Sequence, residues 1–553
     1  MINFRALFFL FLTYVSSFGY GQDNGLRFSY PLDRVPVITG NYGELRPNHF
    51  HAGLDFSTDP TLNLPVKCVA DGYISRIKIS SGGYGKALYV THTNGYVTVY
   101  AHQQKYAGKI DAYVKQKQKE QKKNEIELFP AANELVVKQG EVIGYTGNTG
   151  SSTGPHLHFE IRDEKSEVPL NPLLIYNIKD NVKPVISHLA IYNTADSSHI
   201  QQELNATNSK ANVLTVAKNT FLLPQNTFAI GFAGYDLADG TTNKNTIYEA
   251  KLKLDGQLIY HHQLNNISFD NARYVNIFSE KVGSIKFQKC FSPACYDVPI
   301  YKTLVNGGKI ELKDTLLHTM ELTVFDEKGN ANTLTFYVRA KKITGYAANT
   351  TVYNAYCNKD FVLKQAGFEM MVPKGALAYN TYLHQKVFMK APVNGGIEIG
   401  DKNEKLIRAF KIGLKISRPL KDKESKLVML VNGDVVNSKF EDGWLRAEPK
   451  AFGNFNYGYD TVNPVITCAL AKSKTATLKD AKAITFKVID AMSGIGEYNL
   501  YINDTWQIAE YDAKSDKITC YFDETTPVGA VTIRLEVLDK VGNKGLYEFK
   551  TVR

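Results

Sequence analysis

The stretch GNTGSSTGPHLHFEIR, residues 147 to 162, sets His156 and His158 one residue apart. On an extended strand alternate side chains share a face, so both imidazoles point one way while Leu157 points into the other layer. Two neighbouring imidazoles suit a metal, or a metal beside a catalytic group; a polar strand face is the plain alternative. Upstream, NHFHAGLDF carries His51, Gly53 and Asp55 in alternation, which again sets a histidine and a carboxylate on one strand face. The internal Gly53 weighs against a helix there. A histidine, an aspartate and a distant histidine make a three-ligand zinc set with its fourth position open to water, the layout of a catalytic site. A third segment, GYVTVYAH, is an alternating strand that ends at His102. The chain has no His-Glu-x-x-His helix, so the glutamate base of that protease class has no counterpart. Glu160 continues the 156–158 face, either as a support for the histidines or as a plain strand carboxylate.

The elements that must position these groups read as strands: alternating Val, Ile, Tyr and Thr broken by Gly, Asn and Asp turns. The exception is KIDAYVKQKQKEQKKNEIELF, residues 109 to 129, rich in Lys, Gln and Glu and free of Gly and Pro, which predicts a helix. A solvated surface helix is its simplest role; a lid or groove wall is the alternative. Farther on the chain repeats itself. DNVKPVISHLAIY from Asp180 is echoed by DTVNPVITCALAK from Asp460, and each copy closes on an Asp-x-x-Gly-Asn turn, at Asp326 and Asp539. Copies of this length read as immunoglobulin-like sandwiches, the first with an insertion between about 263 and 315. The expected organisation is an export signal at 1–21, a β-rich unit at 25–176, a sandwich with an insertion at 180–342, a further β-sandwich at 345–455 and a last sandwich at 460–553. The fold class is therefore mainly β.

At 553 residues the chain exceeds one hydrophobic core, and three or four domains are expected. Arg5, an apolar run from Ala6 to about Phe18 and Gly19-Tyr20-Gly21 predict a secretory signal cut before Gln22. The expected location is outside the cytoplasm, periplasmic or associated with the cell envelope, with no transmembrane anchor after cleavage. The net charge of +10 favours a polyanionic surface or reflects a generic basic one, and no nucleic-acid module is visible. Six cysteines do not make a disulfide scaffold; Cys290 with Cys295, and Cys468 with Cys520, are conceivable pairs that sequence does not decide.

Taken in order, these segments resemble the lysostaphin/LytM-type zinc endopeptidases that cut the peptide part of peptidoglycan. The resemblance covers roughly residues 35 to 175 and rests on HAGLD preceded by Arg46, LPVKCVADGYI, GGYGKALYVTHTNGYVTVYAH and QGEVIGYTGNTGSSTGPHLHFE. It implies a β core with a zinc groove, His51, Asp55 and His158 as zinc ligands, and His102 and His156 as catalytic histidines that do not hold the metal. It implies peptidoglycan peptide stems as substrate; the C-terminal sandwiches offer surfaces for protein partners. Cys68, where the family has a small residue, is expected to be a buried free thiol; Lys86 and Gln103 also depart from the pattern. Because the ligand set is complete, a non-catalytic regulator of other wall hydrolases is the second reading.

Overall fold

Lys86–His92 and Tyr96–Ala101 are runs of β-branched and aromatic residues joined by Thr93-Asn94-Gly95, with Gly95 at φ +82°, so they close on each other as a hairpin. In the computed structural model they lie inside a nine-stranded sheet. Its main path runs Ile38–Gly40, Leu54–Ser57, His156–Asp163, Tyr96–Ala101, Lys86–His92, Gly72–Ile79 and Ile126–Leu128. A second sheet of three strands pairs Val142–Tyr145 with Pro65–Lys67 and Lys105–Tyr106. The core of this unit includes Leu54, Phe56, Val66, Ile74, Leu88, Leu157, Phe159 and Ile161. Fully burying a side chain of that size contributes about 1.5–3 kcal/mol. Leu157, Phe159 and Ile161 therefore fix which face of their strand carries His156, His158 and Glu160. The residues described are 28–34, 36–58, 63–193, 200–208, 214–216, 219–239, 241–293, 295–343, 352–365, 367–388, 396–416, 419–469 and 477–553. The expected export signal, 1–21, lies outside them. The chain is mainly β, with 48% strand and 7% helix. Among the described residues no helix is long and apolar enough to cross a membrane.

The predicted helix forms over Gly108–Gln121 and ends at Lys122, whose left-handed backbone (φ 49°) returns its N–H to the Gln118 carbonyl. It is a surface helix, as expected, that buries one face and anchors a further contact. Ile110, Val114 and Gln118 are buried, and the turn after it docks on the end of the chain. Asn124 Nδ2 donates to the Tyr498 carbonyl at 2.8 Å, and the Ala509 N–H donates to Asn124 Oδ1 at 2.8 Å. The sequence gives no sign of this contact because the partner lies more than 370 residues away.

Behind the N-terminal unit the first repeat copy contributes a thirteen-stranded sheet, from Val185–Asn193 to Ala331–Ala340, folded round Ile186, Phe232, Leu252, Leu322 and Phe336. Its insertion is a hub. Leu264, Val275, Phe278 and Val298 pack against Tyr42, Leu45 and Phe50 of the N-terminal unit, while Ile277 packs against Ala378 and Ile407 farther on. Two five-stranded sheets follow, sharing Phe368, Ile399, Ile412, Leu445 and Phe455. Two four-stranded sheets around Phe486, Leu500, Ile533 and Val537 end the chain. Neither conceivable cysteine pair forms. Cys295 is bonded to Cys357, joining the insertion to the next unit, whereas Cys68, Cys290, Cys468 and Cys520 are buried free thiols. Burial in the core pushes the Cys68 thiol up to about 11, which keeps it protonated and inert.

Candidate metal centre

The sequence pattern predicts His158 and Asp55 on strand faces, and pairing makes them neighbours: His158 lies opposite Asp55, and His156 opposite Ser57. Gly53 permits this closeness, since a Cβ there would stand 2.2 Å from the Phe159 carbonyl oxygen. His51 enters from the loop before this strand, which corrects the expectation that it shares a strand face with Asp55. All three side chains are buried. The Nε2 of His51 lies 2.9 Å from Nδ1 of His158 and 3.1 Å from Oδ1 of Asp55; the last two atoms are 2.9 Å apart.

The far side of each ring fixes its tautomer, because a carbonyl or carboxylate oxygen can only accept. His51 donates from Nδ1 to the Asn41 carbonyl at 2.8 Å, leaving its Nε2 lone pair facing the cluster. His158 donates from Nε2 to Glu160 Oε1 at 2.7 Å, turning Nδ1 inward. Glu160 is fully buried and also takes a hydrogen bond from Arg162 Nε at 2.6 Å and one from the Tyr84 hydroxyl. It is thus a support for His158 and not a plain strand carboxylate. Burial opposes its charge, but Arg162 and His158 hold it down to about 2. Burial likewise opposes ionised Asp55, yet His51 and His158 hold it well below the usual carboxylate range. Arg46 caps the outer oxygen of Asp55 and pairs with Glu44 at 2.9 Å.

Two nitrogen lone pairs and a carboxylate oxygen converge, which is repulsive unless a positive charge sits among them. In the free protein a proton serves: burial disfavours it, but Asp55 and Glu160 outweigh burial and push His158 up to about 9. A divalent cation fits the same place better. Ligands on tetrahedral zinc, at about 2.0–2.1 Å, stand roughly 3.3 Å apart, close to the 2.9–3.1 Å found here. The ligand atoms of His51, Asp55 and His158 all lie within 4.8 Å of one another.

The other two histidines flank this cluster. His156 donates from Nδ1 to the Gly154 carbonyl at 2.8 Å; its Nε2 is buried without a hydrogen-bond partner, 3.4 Å from Asp55 Oδ1. His102 donates from Nδ1 to the Thr149 carbonyl at 2.9 Å, and its ring centroid is 4.8 Å from that of His156. Burial lowers the pKa of both; for His102, helped by the charges of His158 and His156, it falls to about 3. Both are neutral acceptors at pH 7. His102 holds a left-handed backbone, φ 58°, strain typical of functional positions.

Residues 49–119 and 130–172 match the model of Peptidase family M23. This segment is an M23 peptidase domain. Over 125 residues the chain is 37% identical to the DD-carboxypeptidase/endopeptidase Mpg of Neisseria meningitidis serogroup B, covering 23% of this chain and 22% of that one. Over 148 residues it is 29% identical to lysostaphin of Staphylococcus staphylolyticus, covering 27% and 22%. The chain thus spans about a fifth of the length of these relatives. The solved catalytic domain of lysostaphin from Staphylococcus simulans aligns with 25% of this chain and 91% of its own, at 25% identity and a TM-score of 0.20. Residues 352–460 match a Zu5-like domain model.

The structure brings His51, Asp55, His102, His156 and His158, the five residues singled out in the sequence, into one cluster, but sequence reasoning misses what holds them. Arg162 and Tyr84 stand in motifs already read, and Arg162 shares the alternation of His158 and Glu160, a usable signal. Lys514 carries none. From the last unit it donates to the Asn148 and Ser152 carbonyls, the latter at 3.2 Å, gripping the loop ahead of His156. Lys86 joins the same seam through Glu510 at 2.6 Å and the Gln104 carbonyl at 2.8 Å.

Proposed function

We propose that the protein is an exported zinc endopeptidase that hydrolyses peptide cross-links of peptidoglycan in the periplasm or cell envelope. The observation that carries this reading is the tautomer arrangement: four imidazoles each anchor one N–H outward, three on main-chain carbonyls and His158 on Glu160. His51, Asp55 and His158 would hold the metal, and Glu160 and Asn41 keep the two ligand rings in the right tautomer. Bound zinc supplies Lewis acidity toward a carbonyl oxygen and acidifies water. His156 and His102, both neutral and both acceptors through Nε2, take the proton from the attacking water and return it to the leaving amine. Once protonated, the same rings donate to a developing oxyanion. Arg46 keeps Asp55 ionised throughout.

The C-terminal units serve in this reading as spacers and partner surfaces. The test pairs elemental analysis of the purified full chain with release of muropeptides from purified sacculi. About one zinc per chain together with cleavage of cross-linked dimers supports the proposal. Stoichiometric zinc without turnover on any sacculus would favour a regulator of other hydrolases instead.

A further inference from the structure

The repeat sets three aspartates at matching points of its two copies. Asp180 and Asp460 open the copies, Asp236 and Asp490 directly follow the strands Thr227–Tyr235 and Ala483–Ile489, and Asp326 and Asp539 begin the Asp-x-x-Gly-Asn turns. The fold gathers each trio, so that one oxygen from each of Asp180, Asp236 and Asp326 lies within 4.8 Å of the others, and likewise for Asp460, Asp490 and Asp539. Part of this is ordinary turn chemistry: Asp326 Oδ1 accepts the N–H groups of Lys328 and Asn330, both at 2.8 Å. Turn chemistry does not account for Asp236 and Asn245. Asp236 is 4% exposed and Asn245 6%, and in each the Oδ1 is buried without any donor. Both line a cavity of about 30 Å³, together with Asp180, Asp326, Glu327 and Lys328. That volume is the share of a single water or ion. The one ammonium lining the cavity, Lys328, points its donors elsewhere, to the carbonyls of Leu173 at 3.2 Å and Tyr176 at 2.9 Å. An amide oxygen outside the acidic trio therefore faces the same small space with nothing to accept from.

We propose that this cavity binds a hard divalent cation of the calcium class, which fastens the M23 domain to the first repeat copy. All the available donors are oxygens, with no histidine or cysteine among them, so the chemistry is distinct from that of the zinc centre. Calcium takes six to eight oxygens at about 2.3–2.6 Å, so oxygens across the ion stand up to about 5 Å apart, which suits this spread. The N-terminal domain contributes Ile38, Asn41 and Leu173 to the wall, beside Ile178 of the linker and Ala238 of the repeat copy. Asp180 lies in the linker itself, beside exposed Lys179. The second copy repeats the pattern, with Asp490 Oδ1 also lacking a donor.

The test titrates the full-length protein, dialysed into metal-free buffer, with calcium chloride by calorimetry, with magnesium chloride in parallel. Limited trypsinolysis follows the Lys179–Asp180 bond. Calcium should bind with a dissociation constant of about 10⁻⁴–10⁻³ M, as in extracellular modules, and slow cleavage after Lys179. Asp236→Asn and Asn245→Ala should each weaken that binding tenfold or more and remove the protection, whereas Asp539→Asn should leave the protection at Lys179 intact. No calcium heat from the wild type at millimolar concentration overturns the proposal, whatever the variants do. So does calcium binding whose affinity and protection survive both Asp236→Asn and Asn245→Ala, including binding lost only in Asp490→Asn. Should Asp236→Asn fail to fold, the wild-type titration and Asn245→Ala decide the matter.

Discussion

His158 Nδ1 lies 2.9 Å from Asp55 Oδ1 because strand register places the two residues directly opposite each other. His156, two residues earlier, keeps its Nε2 free on the same face. The two histidines of one strand should therefore fail differently. His158→Ala, like His51→Ala and Asp55→Ala, should cost both zinc and activity. His156→Ala and His102→Ala should keep about one zinc per chain and lose activity by roughly a hundredfold or more, the usual scale for an acid–base or oxyanion group. Metal analysis beside muropeptide release reads both. Loss of zinc from His156→Ala with retention in His158→Ala would reverse the assignment.

Glu160 stands between a ring that needs an acceptor and a guanidinium that needs a counter-charge. Glu160→Gln keeps the shape while weakening the His158 support, so zinc affinity should fall about 10–100-fold. Glu160→Ala strands buried Arg162 and should cost about 3–5 kcal/mol of stability. Competition with a chelator and thermal unfolding separate the two effects. Wild-type zinc affinity in Glu160→Gln would reduce Glu160 to a bystander.

Period-two alternation made Asp55, His156 and His158 legible, since side-chain direction on a strand is a local property. His51 sits in the loop before the Asp55 strand and is legible by its motif, not by a strand face. The apolar partners Leu157 and Phe159 confirm that choice of face from the other side. What alternation cannot carry is contact between distant segments. Nothing near Tyr42, Leu45 and Phe50 says that a segment some 220 residues on will cover them. The Cys295–Cys357 bond, the Asn124 contacts and Lys514 are hidden for the same reason. The helix was legible as a helix, because propensity is local, but not as a docking platform.

That hidden interface bears on whether the M23 domain stands alone. Asn41, whose carbonyl orients His51, is itself held by Thr246 through hydrogen bonds of 2.8 and 3.0 Å. A chain ended at residue 178 should expose Tyr42, Leu45 and Phe50, bind zinc more weakly than the full chain and aggregate more readily. Equal zinc affinity and solubility in the two lengths would show the domain to be self-sufficient.

Lys514 reaches the loop ahead of His156 from the far end of the chain. Its two carbonyl partners, Asn148 and Ser152, flank Thr149, which orients His102, and precede Gly154, which orients His156. Lys514→Ala should leave zinc content unchanged, quicken amide exchange across 147–155 and lower turnover several-fold. Unaltered exchange there would mean that the contact is incidental.

His262 lies fully buried beside the aromatic rings of Phe278 and Phe232, with its Nδ1 2.9 Å from the Tyr260 hydroxyl. Burial, with nearby His261, lowers its pKa to about 3, so it is neutral in the folded chain where an unfolded histidine begins to charge near pH 6.5. The unfolded state then binds the extra proton, and the stability present above pH 6.5 drains away as pH falls toward 3. The loss from this one group approaches about 1.4 kcal/mol per pH unit in that window. His262→Gln removes the titration, so its thermal midpoint should drop less between pH 7 and pH 5 than that of the parent, whatever packing cost it carries at pH 7. Parallel slopes in the two proteins would mean that His262 is not held neutral by the fold.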